Sequence, residues 1–170
     1  GGDELGMMDE LTRLARTVGS LLLERGWTLG VAESCTGGLV TDAITEIPGS
    51  SAYLIGGIVA YANRIKRDLV GVPEELLETH GAVSFAVALA MAQGVRHALG
   101  TDVGLSTTGI AGPTGGTPDK PVGTVYVAVS SPLGDRVEHY VWSADRRGNK
   151  RLSAGAVLEL LERQLRSPSP

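Results

Sequence analysis

Residues 27–38, WTLGVAESCTGG, pass from an apolar run through a polar turn to two adjacent glycines. Trp27 to Ala32 reads as a strand. Beyond the turn a helix is carried by Leu39, Val40, Ala43, Ile44 and Ile47, and Pro48-Gly49 stops it. A strand feeding a helix through a tight turn is the repeating unit of an α/β fold, and it puts Ser34 at the carboxyl end of the strand. Open α/β sheets bind ligands at that edge. The N–H groups of Thr36, Gly37 and Gly38 are expected among the unpaired donors of the first helical turn. The absent Cβ atoms of both glycines allow a ligand close approach. A hydroxyl beside such donors combines a nucleophile with an oxyanion hole, the pair that acyl transfer needs. The same pattern also suits a serine that only caps the helix. The loop lacks the glycine–lysine signature of a P-loop. It is not a GxSxG elbow either, since Glu33 and Cys35 flank the serine. Cys35 can itself be a nucleophile, but His80, His97 and His139 lie in helix or strand settings without a partner motif. Cys35 therefore reads as a small buried neighbour.

Outward from this unit the pattern repeats. Met8, Leu11, Leu14, Ala15, Val18, Leu21 and Leu22 recur at helical spacing, ended by Gly26. Gly57 to Tyr61 reads as a second strand, Asn63 as the cap of a short helix through Lys66 and Leu69, and Pro73 as the start of a helical turn. Ser84 caps a long apolar helix, and Asp102 to Thr107 forms a third strand. Thr124 to Ser130 and Arg136 to Trp142 form a hairpin that turns at 132–135, with Val125, Val127 and Val129 alternating against Tyr126, Ala128 and Ser130. Arg147 to Leu165 is a last amphipathic helix. The expectation is a single α/β domain over residues 9–166: three layers, α/β/α, around a mixed, mostly parallel sheet with helices on both faces. Residues 1–8 read as an N-terminal extension or expression scar, and 167–170 as a frayed tail.

Composition narrows the function. A formal net charge of −4 without a long basic run argues against sequence-independent binding to nucleic acid, which needs clustered Lys and Arg to displace counterions. One cysteine excludes an intrachain disulfide and suits a reducing cytoplasm. No apolar run approaches the roughly 18 residues of a membrane span, and no signal peptide is visible, so no membrane partner is expected. No His or carboxylate cluster has metal-ligand spacing, so neither a metal nor another cofactor is expected.

Two further segments carry chemistry. In VAYANRIKRDL (59–69) a strand leads through Tyr61 into a helix bearing Lys66. If that strand lies beside the first, Lys66 approaches Ser34. An amine works as a base only when neutral, which calls for a pKa lowered by burial or by neighbouring cations such as Arg64 and Arg67. The other reading is a solvated helix lysine. Tyr61 either donates a hydrogen bond to Ser34 or the substrate, or packs. In STTGIAGPTGG (106–116) the glycines allow tight turns with exposed amides, suited to phosphate or ribose or simply to a long turn. Thr108 is placed to bond Lys66 or Ser34. The segment is not GxGxxG, so a dinucleotide fingerprint is unsupported.

Taken together, AESCTGG at 32–38, VAYANRIK at 59–66, HGAVS at 80–84, TGIAGPTGG at 108–116, KPVGTVY at 120–126 and the Asp145-Arg146 pair resemble one family, the C-terminal domain of the competence/damage-inducible protein CinA. Its stand-alone members include nicotinamide-nucleotide amidase. The resemblance spans Leu11 to Leu165. It implies hydrolysis of the carboxamide of nicotinamide mononucleotide to nicotinate mononucleotide and ammonia, which recycles pyridine nucleotide toward NAD. It also implies Ser34 as nucleophile, Lys66 as base, Tyr61 and Thr108 as supporting partners, and the Gly37-Gly38 amides as oxyanion hole. Gly109, Ala111 and Gly112, with Arg146 or Arg151, are implied as substrate or phosphate contacts. The family's GDR reads Ala144-Asp145-Arg146 here, which leaves open which arginine acts. A homo-oligomer, and an additional N-terminal domain in a longer parent chain, are compatible with the resemblance. Two other functions remain open on sequence: a non-catalytic nucleotide-binding module, and an amidase of another small pyridine amide.

Overall fold

The computed structural model describes the backbone of residues 2–168 and the side chains of residues 10–168. Helix α1 (Gly2–Arg25) precedes β1 (Leu29–Glu33) and α2 (Leu39–Thr45). A 3₁₀ turn at Ser50–Ala52 leads to β2 (Leu54–Val59), α3 (Asn63–Asp68), α4 (Glu74–His80) and α5 (Phe85–Leu99). Then come β3 (Val103–Gly109), β4 (Thr124–Ser131), β5 (Gly134–Val141) and α6 (Arg146–Arg166). The helical stretch expected to start near Met8 begins at Gly2. The Met8 side chain, Gly1 and the last two residues of the expected frayed tail lie outside the described residues.

The five strands form one sheet in the order β2-β1-β3-β4-β5. β1 pairs in parallel with β2 and β3, while β3–β4 and β4–β5 are antiparallel. Four strands therefore run one way and β4 alone is reversed, the mixed, mostly parallel sheet expected.

Side-chain alternation divides the sheet between two helical layers. Leu29, Val31, Val103, Leu105, Val125, Val127 and Val129 join the core built with α1, α2 and α6, through Leu14, Val18, Ile44, Leu158 and Leu161. Ala32 faces the other way, into a core with Val70, Val72, Val87, Met91 and Val95 around α3–α5. The third-strand position Gly104 lets α5 lie close: a Cβ there would collide with the Ala92 carbonyl and Arg96. Burying these apolar side chains supplies roughly 25 cal/mol per Å² of apolar surface removed from water, which holds both layers to the sheet.

β1, α2 and β3 shift by one or two residues, to Leu29–Glu33, Leu39–Thr45 and Val103–Gly109, and three further boundaries moved. β2 starts three residues before the expected Gly57 and ends at Val59, leaving Tyr61 outside the sheet. Asn63 is the first residue of α3, whose cap position is Ala62, without a side-chain cap. The hairpin turn is confined to Pro132 and Leu133, and the Leu133 amide is held by the Ser131 hydroxyl at 3.1 Å. Ser84 caps α5 as expected, accepting from the Val87 amide at 3.2 Å. No helix among the described residues is long and apolar enough to cross a membrane.

Candidate active site

Because β1, β2 and β3 are parallel neighbours, their carboxyl ends share one edge of the sheet. Ser34 follows β1 directly, and its amide is fixed to the Thr107 carbonyl at 3.0 Å. The chain leaving β2 turns at Ala60, whose amide bonds the Glu33 carbonyl at 2.7 Å, and carries Lys66 back over β1 on α3. Lys66 Nζ lies 3.0 Å from Ser34 Oγ and donates to the Tyr61 carbonyl at 2.8 Å. Lys66 is 1% exposed and Ser34 7%. This is a buried amine in contact with a buried alcohol.

Burial pushes the Lys66 amine down from 10.5 to about 8. The expected help from Arg64 and Arg67 is absent. Both are exposed, and Arg67 is occupied by ion pairs to Asp68 and Glu74, each at 2.8 Å. Burial likewise pushes the Cys35 thiol up to about 12, so it stays protonated near neutrality and is not a ready nucleophile.

The loop after β1 departs from expectation in its use of amides. Gly37 and Gly38 have φ of +61° and +109°, a left-handed conformation that side chains disfavour, and this backbone requirement accounts for both. Their N–H groups point inward: Gly37 donates to the Ser34 carbonyl at 3.1 Å, and Gly38 to Glu33 Oε1 at 3.2 Å. The anion held at the start of α2 is the protein's own Glu33 carboxylate, so the glycine amides are not free to serve as the oxyanion hole. The Thr36 hydroxyl is engaged by Glu33 at 2.6 Å and by Thr107 at 2.7 Å. Among the described residues, the Cys35 and Thr36 amides donate to no backbone carbonyl, and the Cys35 amide lies against its own thiol.

Two more expected partners act differently. Thr108 lines the hollow at Ser34, but its hydroxyl donates to the Ala82 carbonyl at 2.8 Å rather than bonding Lys66 or Ser34. It braces the α4–α5 connection against the third strand. Tyr61 contributes its carbonyl to Lys66, while the residue is 63% exposed and its hydroxyl accepts from Arg146 at 3.4 Å.

The segment after β3 closes the site. Ile110 pairs with Thr124 and Gly123 through backbone bonds of 2.8 Å, holding Gly109 at the sheet edge. The Ala111 carbonyl accepts from Asn149 at 3.0 Å, and the Gly112 carbonyl from Arg146 at 2.7 Å. A cavity of about 330 Å³ is bounded by Ser34, Tyr61, Lys66, Thr108, Gly112 and Arg146. It adjoins a larger one of about 960 Å³ along Leu39, Val122, Lys150 and Arg151, and the two share Ala111 and Arg146. Arg146 thus stands at their junction, with Arg151 in the outer cavity only.

Three residues absent from the sequence expectation matter here. Glu33 is 1% exposed and Asn149 2%. Lys150 Nζ comes within 3.6 Å of where a Gly37 Cβ would be. A signal existed for two of them: a carboxylate directly at the end of an apolar strand, and an amide inside a core-facing helix, both needing partners if buried. No group of three or more His, Cys, Asp or Glu side chains gathers at one point among the described residues.

A family model for the CinA C-terminal domain matches residues 11–165. The chain belongs to the CinA C-terminal domain family. It is 52% identical over 152 residues to a CinA-like protein of Syntrophotalea carbinolica, covering 89% of this chain and 37% of that one. It is 51% identical over 157 residues to a CinA-like protein of Synechocystis, covering 91% and 38%. It spans about two fifths of the length of these curated relatives. Among solved structures, a competence/damage inducible protein from Agrobacterium tumefaciens superposes with a TM-score of 0.86 at 39% identity, covering 91% of this chain and 95% of that one. A CinA superfamily protein from Klebsiella pneumoniae gives 0.87 at 30% identity, covering 91% and 97%. The CinA fold and the arrangement of this chain's layers therefore agree.

Proposed function

We propose that this CinA domain is an amidohydrolase with Ser34 as nucleophile and Lys66 as base, and that its substrate is nicotinamide mononucleotide. The 3.0 Å contact between Lys66 Nζ and Ser34 Oγ, made by an amine whose pKa is lowered to about 8, carries the reading. At pH 7 roughly one such amine in ten is neutral, against about one in 2,500 for an ordinary lysine. The neutral amine takes the hydroxyl proton while its own N–H remains bonded to the Tyr61 carbonyl. The alkoxide adds to the amide carbon, and the oxyanion is assigned to the turn's Cys35 and Thr36 amides, which donate to no backbone carbonyl. Protonated Lys66 then returns its proton to the departing nitrogen, giving ammonia and an acyl ester on Ser34. Water, deprotonated by the same amine, releases the acid.

The inner cavity, about 330 Å³, is assigned to the amide-bearing ring. The outer cavity, with Arg146, Lys150 and Arg151 on its wall, offers the cations that a phosphate attached to that ring requires. Ammonia release from nicotinamide mononucleotide by wild type, Ser34→Ala and Lys66→Ala tests both halves of the proposal. Turnover falling by about 10³-fold or more in each variant is expected. Binding of the nucleotide without ammonia release by wild type would favour a non-catalytic nucleotide-binding module. Faster hydrolysis of an unphosphorylated pyridine amide would overturn the substrate assignment.

A further inference from the structure

We infer that Glu33 is the positioning residue of this site, a carboxylate that holds the nucleophile's loop in its reactive shape. The inference rests on Ser34 being the nucleophile. Glu33 and Ser34 are adjacent at the end of β1, so their side chains leave the sheet on opposite faces. Ser34 meets Lys66 on the α3 side. Glu33 turns into the α2 side and gathers five donors there. Its Oε1 accepts from the Thr36 hydroxyl at 2.6 Å, the Val40 amide at 2.9 Å and the Gly38 amide at 3.2 Å. Its Oε2 accepts from the Thr41 amide at 2.9 Å and the Thr41 hydroxyl at 2.7 Å.

Two features make this more than an ordinary cap. α2 has glycine at its cap position, without a side chain to satisfy the first helical amides. Glu33 does so from five residues upstream, which ties both ends of the Ser34–Gly38 turn to one rigid group. The Thr36 hydroxyl then passes the constraint to Thr107 at 2.7 Å, and Thr107 also fixes the Ser34 amide through its carbonyl. The turn that carries the nucleophile, together with the Cys35 and Thr36 amides, is thus referenced to β1, α2 and β3 through a single carboxylate. A carboxylate only accepts, and all five neighbours are arranged to donate. A glutamine of the same shape must point an NH₂ at hydrogen-bond donors whichever way it is turned.

The test compares wild type, Ser34→Ala, Glu33→Gln and Thr41→Val by steady-state kinetics and by the rate at which a sulfonyl fluoride modifies Ser34. That reagent needs no nucleotide binding, so it reports the nucleophile alone. For Glu33→Gln, kcat and the labelling rate are expected to fall together by about a hundredfold, with KM within about twofold of wild type. A purely structural residue would lower the active fraction and the unfolding midpoint but leave kcat per labelled site unchanged, and that result would overturn the inference. Should Glu33→Gln fail to fold, Thr41→Val decides. It removes one donor from Oε2, with an expected fall of about threefold to tenfold in both rates, and wild-type rates there also overturn it. A wild type in which Ser34 is neither labelled nor needed for turnover sinks the serine reading and this inference together. Labelling and need of Ser34 with unaltered Glu33→Gln sinks only the role of Glu33.

Discussion

Lys66 is placed where a charge is costly. Its folded pKa, about 8, lies below the ordinary 10.5, so the native chain binds fewer protons than the unfolded one between those values. Stability accordingly rises with pH through that window, and the burial cost of the cation, about 3 kcal/mol, is carried in full below pH 8. Activity has the same sign. kcat/KM for amide hydrolysis is expected to climb with unit slope as the amine loses its proton and to level off above about pH 8. A profile flat from pH 6 to 9 would exclude Lys66 as the base. Lys66→Met keeps the stem and removes the charge. It is expected to abolish turnover while adding about 1–2 kcal/mol of stability at pH 7, read as an unfolding midpoint several degrees higher. A lower midpoint would mean that the bonds to Ser34 and Tyr61 outweigh the burial cost. Ser34 and Lys66 could be paired on paper because each follows a strand in a parallel set. The Thr108 hydroxyl could not, since its acceptor, the Ala82 carbonyl, belongs to a connection whose path no local pattern specifies.

At the scale of elements, the start of α6 sets the junction of the two cavities. Asp145 caps it, accepting from the Gly148 amide at 2.8 Å. One turn on, Asn149 donates to the Ala111 carbonyl and accepts from the Ala144 amide, both at 3.0 Å. Asp145→Ala is expected to cost about 1 kcal/mol by denaturant titration. Asn149→Ala removes both bonds, to the half-buried Ala111 carbonyl and the exposed Ala144 amide, so about 1–2 kcal/mol should be lost, with KM for the nucleotide raised because Arg146 leans on the same segment. An unchanged KM would detach α6 from substrate binding. The helices and central strands were legible because Leu29 and Val31 in β1, and Val103 and Leu105 in β3, alternate with small residues ahead of glycine-containing loops. β2 was not. It is an edge strand whose Ile55 and Val59 face outward, about half exposed, and with Gly56 and Gly57 between them its alternation is invisible in residue type.

Over the whole molecule, the sheet acts as a partition: the amine–alcohol pair lies on the α3–α5 side, and the carboxylate that shapes the turn lies on the α1, α2 and α6 side. The layer order and the location of the site at one sheet edge followed from strand–turn–helix units in the sequence. The division of labour across the sheet did not, because the pattern marks Glu33 only as the first polar residue after an apolar run, without saying which donors would meet it. The partition also bears on how this protein can vary in length. Removing a single codon from within Leu29–Glu33 would slide the end of the strand by one residue, sending the hydroxyl toward α2 and the carboxylate toward the lysine. In a library of one-codon deletions, surface connections such as Pro132–Leu133 should stay populated after selection for growth that requires the reaction product to be made from the amide, and this strand should be empty.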